Sequence, residues 1–459
     1  MEHSLGLLWF TDDLRLSDNS LLTRAASECD NLILCYFVDP KDLKQDMYGC
    51  QRIGLHRRQF LAESLLALRE QLEALGQRLN LFMANPVESI EAICSHLPVT
   101  HLYRSKPVAF NESRDWLRLR STLPDVKSIE SETRCLFTSK QVDCAPEQFP
   151  RTFSQFRRSA EKLSIEPPLE SISALPEAVS LTAFQFPRLE PATWLVRESC
   201  IAHGGEHAAR EHLQDYFSDD APNHYKQTRN AFDGWENSSK WSFWLANGNL
   251  SARQAAYALN EYQAQHGENE NNAWLMFELL WREYFQWYAR AFNKRLFLLD
   301  GLFVELNSEL NREQNGLLSE TKTRKRRGSF YAQRFRQWCM GTTPYPIVNA
   351  CMRQLNETGY MSNRGRQIVA SALINELGLD WRCGAAYFEQ QLIDYDPASN
   401  WGNWQYIAGV GADPRGGRHF NLEKQTQMYD ADGAFRARWT DGDDNYRLDY
   451  VDAADWPIV

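Results

Sequence analysis

The residues best suited to chemistry lie in the last quarter of the chain. Asn363 and Arg366 are three positions apart and therefore share a helix face. Asp394 and Asp396 flank a predicted helix end, and Arg366 could pair with Asp394. The Asp396 carboxylate could hydrogen-bond the edge of a heterocycle, and the Asn400 amide could donate to or accept from a ring nitrogen. This group indicates a site for a planar polar ligand. The alternative is a structural ion pair beside ordinary helix caps.

The elements that must position these residues begin with a sheet. Residues 1–130 alternate short apolar runs with helical patterns, which predicts an α/β domain with a parallel, Rossmann-like sheet. Such a sheet binds ligands beyond the carboxyl ends of its strands. The strand candidates are Leu5–Phe10, Leu32–Val38, Leu79–Ala84 and His101–Tyr103.

The remainder of the chain has a different pattern. Prolines interrupt residues 131–205, which predicts a long, ordered but mostly irregular linker. Helical periodicity dominates residues 206–430, which predicts an all-α domain, and residues 431–459 form a short acidic tail. The clearest helix candidates are Ser251–Tyr262, Ala273–Phe292, Pro346–Glu357, Arg364–Leu377 and Gly384–Ile393.

Charge and cysteine content restrict the class of protein. The net charge of −10 gives no general attraction to nucleic acid, so DNA binding would need a local basic face such as Lys322–Arg327. The alternative for that run is a solvated loop. The ten cysteines show no metal-ligand spacing, so we expect reduced thiols, no metal and a cytoplasmic location. No apolar stretch reaches the roughly 20 residues that a membrane span requires.

Tryptophan is concentrated in the predicted helical domain. Twelve of the fifteen tryptophans lie at or beyond Trp235. Core packing accounts for many of them. A planar cofactor, a stacked base or a chain of electron-carrying rings would account for the excess.

Four segments together resemble the photolyase and cryptochrome family, and most closely cryptochrome DASH. The matches run in order from residue 5 to about residue 430. The segment from Met361 to Tyr406, with its Asn-Arg-Gly-Arg-Gln and Ser-Asn-Trp-Gly-Asn-Trp-Gln-Tyr stretches, resembles the FAD-binding core. The other three are Trp9–Arg15 with Asp18 and Asn19, Tyr225–Arg229 with Ser238–Ser242, and Trp274–Glu283.

The resemblance implies a folded FAD in the helical domain. Asp396 would face the pyrimidine edge of the flavin and Asn400 its N5 position, where an amide is compatible with a stable reduced anionic flavin. The residues implied at the phosphates and ribose are Tyr225, Ser238, Ser239 and Ser242, and those around the rest of the cofactor are Trp274, Arg282, Asn363, Arg366, Asp394, Asp396 and Asn400.

The resemblance also implies a pocket for a damaged base. Glu278 would hydrogen-bond the base, Trp281 would stack on it, and Asn363 would border the same pocket. Glu278 and Trp281 are three positions apart, so they share one helix face. Their alternative is core packing beside an exposed charge.

Two residues depart from the pattern of enzymes that repair duplex DNA. Tyr406 replaces a second pocket tryptophan, and Gln367 replaces an apolar methionine. A more polar pocket would favour a single strand, since extruding a base from a duplex costs a few kcal/mol. Arg229 is expected to hold the DNA backbone, without sequence preference.

Trp404 and Trp381 match the first two members of the family's electron-transfer chain. No tryptophan lies between Trp287 and Trp338, where the third member falls, and Tyr331 is a candidate substitute. The electron route is therefore predicted only as far as its second ring.

The α/β domain carries a candidate antenna site. Asn111 and Glu112 match the position where a carboxyl commonly meets the pterin of 5,10-methenyltetrahydrofolate. The alternative is a polar helix start.

These expectations describe a light-driven flavoprotein of the deoxyribodipyrimidine photo-lyase type. We expect a monomer, away from membranes, that repairs cyclobutane pyrimidine dimers preferentially in single-stranded DNA and binds RNA or undamaged DNA nonspecifically. One alternative is a blue-light photoreceptor that signals through its flavin redox state, which the short tail disfavours. The other is a nonphotoactive nucleotide-binding enzyme that uses only the N-terminal sheet.

Overall fold

The computed structural model describes residues 3–196, 200–303, 333–412, 417–440 and 446–448. An α/β half is followed by a helical half, which confirms the fold class predicted from the sequence. The basic run Lys322–Arg327, the candidate Tyr331 and most of the acidic tail lie outside the described residues.

The N-terminal half is built on a parallel sheet. Its six strands are β1 Leu5–Trp9, β2 Asn31–Phe37, β3 Leu79–Phe82, β4 Val99–Ser105, β5 Lys127–Ser131 and β6 Glu177–Ala178. The spatial order is β3-β2-β1-β4-β5, and β6 pairs with β2. The four predicted strands are present with small shifts at their ends. Strand β5 was not predicted because only Ile129 of its five residues is buried.

Apolar side chains alternate between the two faces of the sheet. Leu8 and Leu34 pack on one face, and Leu7 and Ile33 pack on the other. Both faces are therefore covered, as is usual for a parallel sheet. The helices of this half are α1 Ser20–Glu28, α2 Leu55–Ala74, α3 Pro86–His96 and α4 Phe110–Thr122.

The connecting segment is mostly irregular but contains one helix. Helix α5, Phe153–Ala160, begins at an N-cap formed by Thr152 and buries Phe153 and Phe156 against the helical half. The helix is short, its other residues are mostly polar, and prolines precede and follow it in the sequence. The local pattern therefore did not predict a helix here.

The helical half encloses the largest hydrophobic cluster. The longest described helix, α10 (Glu270–Phe292), has 23 residues and contributes most to the candidate site. The predicted helices are present with altered ends, and Arg364–Leu377 appears as an α-helix followed by a π-helical turn at Ala372–Glu376. The described helices are α6 Glu206–Ser218, α7 Tyr225–Thr228, α8 Ser242–Asn247, α9 Ala252–His266, α10 Glu270–Phe292, α11 Gln333–Met340, α12 Pro346–Thr358, α13 Asn363–Ser371, α14 Trp381–Gln391, α15 Pro397–Ala408, α16 Leu422–Tyr429 and α17 Ala434–Trp439.

Buried charges join the two halves at the carboxyl edge of the sheet. Arg15, which is fully buried, donates to the main-chain oxygen of Gly248 at 2.8 Å. Arg253 of α9 pairs with Asp18, and the Glu206 carboxylate accepts from the main-chain N–H of Leu16 at 2.7 Å. These contacts hold the helical half against the loop that follows β1.

Candidate functional site

A cavity of about 420 Å³ opens in the helical half. Its walls come from α7, from α8 and the loop before it, from α10 and α13, and from α15 with the segment before it. The volume is in the range of small-molecule sites, about 300–1,000 Å³. The predicted cofactor and substrate residues that line it are Tyr225, Arg229, Ser238, Ser239, Ser242, Trp274, Glu278, Trp281, Arg282, Asn363, Arg366, Gln367, Asp394, Asp396 and Tyr406.

One end of the cavity is lined by hydroxyl groups and a buried amine. Lys240 lies between Ser239 and Ser242 with a left-handed backbone (φ 54°). Its Nζ donates to Ser238 Oγ at 2.8 Å and to the main-chain oxygen of Gly234 at 3.1 Å. Burial lowers the pKa of Lys240 to about 8. An anionic ligand would stabilise the charged amine, so this end suits a phosphate group.

Lys240 was given no role from the sequence. The signal was present, since the lysine stands between the hydroxyl-bearing residues of the segment Ser238–Ser242. Its importance depends on burial, which spacing alone does not reveal.

Asp396 forms the N-cap of α15 at the other end of the cavity. Its Oδ1 accepts from the main-chain N–H of Ser399 at 2.7 Å, and Gln286 Nε2 donates to the same carboxylate at 2.9 Å. Arg134 completes an ion pair with it. Burial alone would raise the pKa of Asp396, but the charges of Arg134 and Arg282 outweigh burial and hold it below its ordinary value. The carboxylate is therefore an ionised acceptor.

Arg134 and Gln286 are partners that the sequence did not indicate. Arg134 follows β5 at the end of the α/β half, and it belongs to none of the four matching segments. Gln286 lies on α10, one helical turn beyond Arg282, and is fully buried.

The predicted pairing of Arg366 with Asp394 is present. Arg366 Nη2 lies 3.0 and 2.9 Å from the two carboxylate oxygens of Asp394, and its Nε donates to the main-chain oxygen of Met361 at 2.8 Å. Both side chains line the cavity, so the ion pair forms part of the cavity wall and also links two segments of the fold.

Asn400, expected at the N5 position of the flavin, contacts the neighbouring helix α14. Its Nδ2 donates to the main-chain oxygen of Ala385 on α14 at 3.0 Å, and the residue is buried. On this side the cavity wall is formed by Ser399, Asn403 and Tyr406. The amide therefore ties α15 to α14 in the structure.

Two of the side chains expected at a damaged base, Glu278 and Trp281, lie on the α10 wall. Glu278 accepts from Trp274 Nε1 at 3.0 Å and forms an ion pair with Arg229. Burial raises the pKa of Glu278, and the charge of Arg229 partly offsets that rise. Arg229, expected to hold the DNA backbone, lines the same cavity, is 17% exposed and pairs with Glu278.

Trp281 is held in place by other rings. Phe153 stacks on it with a centroid separation of 3.8 Å and an interplanar angle of 13°. Tyr406 lies edge-on at 6.0 Å, and the Tyr406 hydroxyl accepts from Arg418 Nη2 at 2.6 Å. The fixed ring presents a flat apolar surface to the cavity, which Phe153 supports from a segment not expected near the site.

The tryptophans of the predicted electron chain lie outside the cavity wall. Trp404 makes an edge-to-face contact with Trp338 at 6.2 Å. Trp381 makes its ring contact with Trp401 at 5.8 Å and donates through Nε1 to the main-chain oxygen of Leu299. The sequence did not indicate Trp338 or Trp401 as neighbours of these rings.

At the carboxyl edge of the sheet, the candidate antenna residue Glu112 caps its own helix. Its carboxylate accepts from the main-chain N–H of Ala109 at 2.9 Å. Burial and the charge of Asp12 raise the pKa of Glu112. Arg104 donates to the main-chain oxygen of Glu112 at 2.9 Å and lies over the ring of Trp9 at 4.0 Å. This edge is polar and aromatic, but the Glu112 carboxylate and Arg104 Nη1 already have internal partners.

Two further findings concern metals and membranes. All ten cysteines are free thiols, and the described part of the chain contains no group of three metal-ligating side chains. Within the same residues, no helix combines the length and the apolar character needed to span a membrane.

Family models match both halves of the chain. The model described as DNA photolyase matches residues 6–176, and that described as the FAD binding domain of DNA photolyase matches residues 274–455. A curated cryptochrome DASH of Idiomarina loihiensis is 45% identical over 100% of this chain and 97% of its own length.

Solved structures show the same fold. A Synechocystis cryptochrome is 34% identical with a TM-score of 0.84, over 96% of this chain and 89% of its own. An archaeal photolyase from Sulfolobus tokodaii, described with two FAD molecules, is 26% identical with a TM-score of 0.73, over 95% and 90% of the two chains.

Proposed function

The chain belongs to the photolyase and cryptochrome family, and we propose that it repairs cyclobutane pyrimidine dimers, preferentially in single-stranded DNA, by light-driven electron transfer from reduced FAD. Membership makes it a photolyase-like flavoprotein with an FAD-binding domain. One observation carries the finer proposal: Glu278 and Trp281 line the same cavity as the residues suited to FAD.

The cavity fits FAD by the chemistry of its two ends. Lys240 and the serine hydroxyls would hold the phosphates, and the ionised Asp396 would accept from the pyrimidine edge. The Arg366–Asp394 pair would form the wall between them. Bound FAD, when reduced and excited by light, would supply the electron that splits the dimer.

The α10 wall would receive the damaged bases. Trp281 is already stacked on Phe153, so a flipped base gains contact with it at little entropic cost. Glu278 is held between Trp274 and Arg229, which aims its carboxyl group along the wall. Asn363 would border the same base.

The polarity of the pocket supports a preference for single strands. The Tyr406 hydroxyl is held by Arg418, and Gln367 adds an amide to the wall. A dimer therefore gains less on entering than it would in an apolar pocket. Extruding it from a duplex costs a few kcal/mol, so the weaker pocket matters most there.

We also propose an antenna chromophore at the edge of the sheet. 5,10-Methenyltetrahydrofolate would lie near Glu112 and Arg104. The archaeal relative described with two FAD molecules makes a second flavin the competing occupant. Acid extraction and chromatography of the purified protein would distinguish the two.

The test is repair under illumination. The reduced protein is illuminated with the same dimer in single- and double-stranded oligonucleotides at one ionic strength, and restored pyrimidines are measured. We expect repair of the single strand to exceed repair of the duplex. Trp281→Ala should abolish repair while FAD remains bound, and Trp194→Phe, a tryptophan change in the other half, should leave repair unchanged.

Two outcomes would contradict the proposal. No repair of either substrate by the reduced wild-type protein would refute repair as the function. Equal repair of both substrates would refute only the preference drawn from Tyr406 and Gln367.

A further inference from the structure

Arg134 links the α/β half to the candidate flavin site. Its guanidinium pairs through Nη1 with Asp12, in the loop after β1, and through Nη2 with Asp396, at the start of α15. The side chains of Arg134 and Asp396 are 5% and 6% exposed. Arg282 Nη1 donates to the main-chain oxygen of Arg134 at 2.7 Å, so the loop itself is fixed to α10.

We propose that Arg134 is a positioning residue of the flavin site, which holds the Asp396 carboxylate ionised and aimed into the cavity. The inference rests on the proposed binding of FAD and goes beyond it by assigning a residue outside the FAD domain. Asp12 pairs with the same guanidinium, so the position of the α/β half also affects the geometry of the cofactor site.

The charges around the pair define what Arg134 does. Arg134 and Arg282 face Asp396, together with the neutral amide of Gln286. Asp12, Glu112 and the buried thiol of Cys135 face Arg134 from the sheet side. Without Arg134, the carboxylate would keep one nearby cation, and burial would then favour its protonated form. A protonated Asp396 would present fewer acceptor sites to the pyrimidine edge.

Pairing with both Asp12 and Asp396 at once requires an arginine rather than a lysine. The two Nη atoms of one planar group reach two carboxylates on opposite sides. A lysine offers a single ammonium and would have to choose between them. It would still keep a positive charge beside Asp396, which makes Arg134→Lys a matched control for charge.

The experiment measures FAD affinity of the full-length apoprotein against pH, by equilibrium dialysis from about pH 5 to about pH 7. The wild type should show a flat profile over this range, because the pKa of Asp396 is held low and Lys240, with a pKa of about 8, stays charged. Arg134→Met and Arg134→Gln should bind FAD more weakly at low pH, by about tenfold for each pH unit below the raised pKa, and recover at high pH.

Two controls accompany these variants. Arg134→Lys should keep the flat profile with a smaller loss of affinity. Arg253→Met removes another buried arginine that joins the halves through Asp18, and it should also leave the profile flat. Adding Asp396→Asn to Arg134→Gln should abolish the pH dependence, because no carboxylate remains to titrate.

The outcomes separate this inference from the proposed function. A flat profile in Arg134→Met and Arg134→Gln, at any affinity, would overturn the role of Arg134 while leaving FAD binding intact. A pH slope in Arg253→Met equal to theirs would also overturn it. Failure of the wild type to bind FAD at any pH would instead refute the proposed function.

Discussion

The flavin cavity and the antenna edge of the sheet differ in how their charged groups are used. In the cavity, Lys240, Asp396 and Glu278 have internal partners but also line open space that a ligand can enter. At the antenna edge, Glu112 caps its own helix and Arg104 covers Trp9. The cavity is therefore formed before its ligand arrives, whereas an antenna chromophore would have to replace internal contacts.

This difference has an energetic reason. Preformed sites avoid the cost of rearrangement, so more of the contact energy appears as affinity. The cavity walls are helices packed in the largest core cluster, which keeps their side chains in place. We therefore expect FAD to be retained through purification and the antenna chromophore to be lost more easily.

Breaking the cavity wall should have the largest effect. Arg366→Ala leaves the Asp394 carboxylate, which is 2% exposed, without its cation. Removing one partner of a buried pair costs about 3 kcal/mol, so we expect unfolding at lower urea concentration together with loss of FAD. Arg366→Lys keeps the charge and should lose less than half as much stability. Unchanged urea midpoints in both variants would show that the pair is dispensable.

Removing the buried carboxyl group of Asp13 should raise the free energy of unfolding rather than lower it. One oxygen of Asp13 accepts from Thr11, the other has no partner among the described residues, and burial raises the pKa of Asp13 from 3.8 to about 6. The folded state therefore favours the protonated acid, and the stability that this provides is lost as pH rises through about 6.

Asp13→Asn should consequently stabilise the protein by about 2 kcal/mol at pH 8 and by much less near pH 4. Urea unfolding at both pH values measures the difference. Asp12→Asn is the matched control, since Asp12 has Arg134 as its partner and its loss should destabilise the fold. If Asp13→Asn changed the free energy of unfolding equally at both pH values, a raised pKa of Asp13 in the folded state would be refuted.

Substitutions of the tryptophans outside the cavity wall test how electrons reach the flavin. Trp404→Phe conserves the ring but is far harder to oxidise, so we expect FAD to stay bound and its photoreduction by external reductant to slow by at least about tenfold, which is about 1.4 kcal/mol of barrier. Parallel Trp381→Phe and Trp338→Phe variants show which neighbour supplies Trp404, because Trp338 is a tryptophan in ring contact with it. Photoreduction at the wild-type rate in Trp404→Phe would mean that electrons enter elsewhere.

The smallest effect is expected at the antenna edge. Glu112→Gln keeps the capping hydrogen bond to Ala109 but removes a negative charge near the start of α4, which costs about 0.5 kcal/mol. We expect less folate to co-purify and the FAD content to stay unchanged. Glu112→Ala should lose both the cap and the folate. Folate content equal to wild type in both variants would place the antenna site elsewhere.

The sequence alone determined the class of fold, the family and about half of the residues in the cavity wall. Asn363 with Arg366 and Glu278 with Trp281 are local pairs, and one helical turn is enough to place each pair on a common face. Short apolar runs that alternate with helical patterns predicted the parallel sheet, because a buried strand is recognisable from its local sequence.

Only the tertiary structure decided which partner each charged or aromatic group has. Arg134 reaches Asp396 across the boundary between the two halves, and Phe153 stacks on Trp281 from the connecting segment. Arg229 pairs with Glu278 in the cavity wall. Local spacing carries no information on such pairs, because they depend on how distant segments pack and on the need to neutralise charge wherever packing buries it.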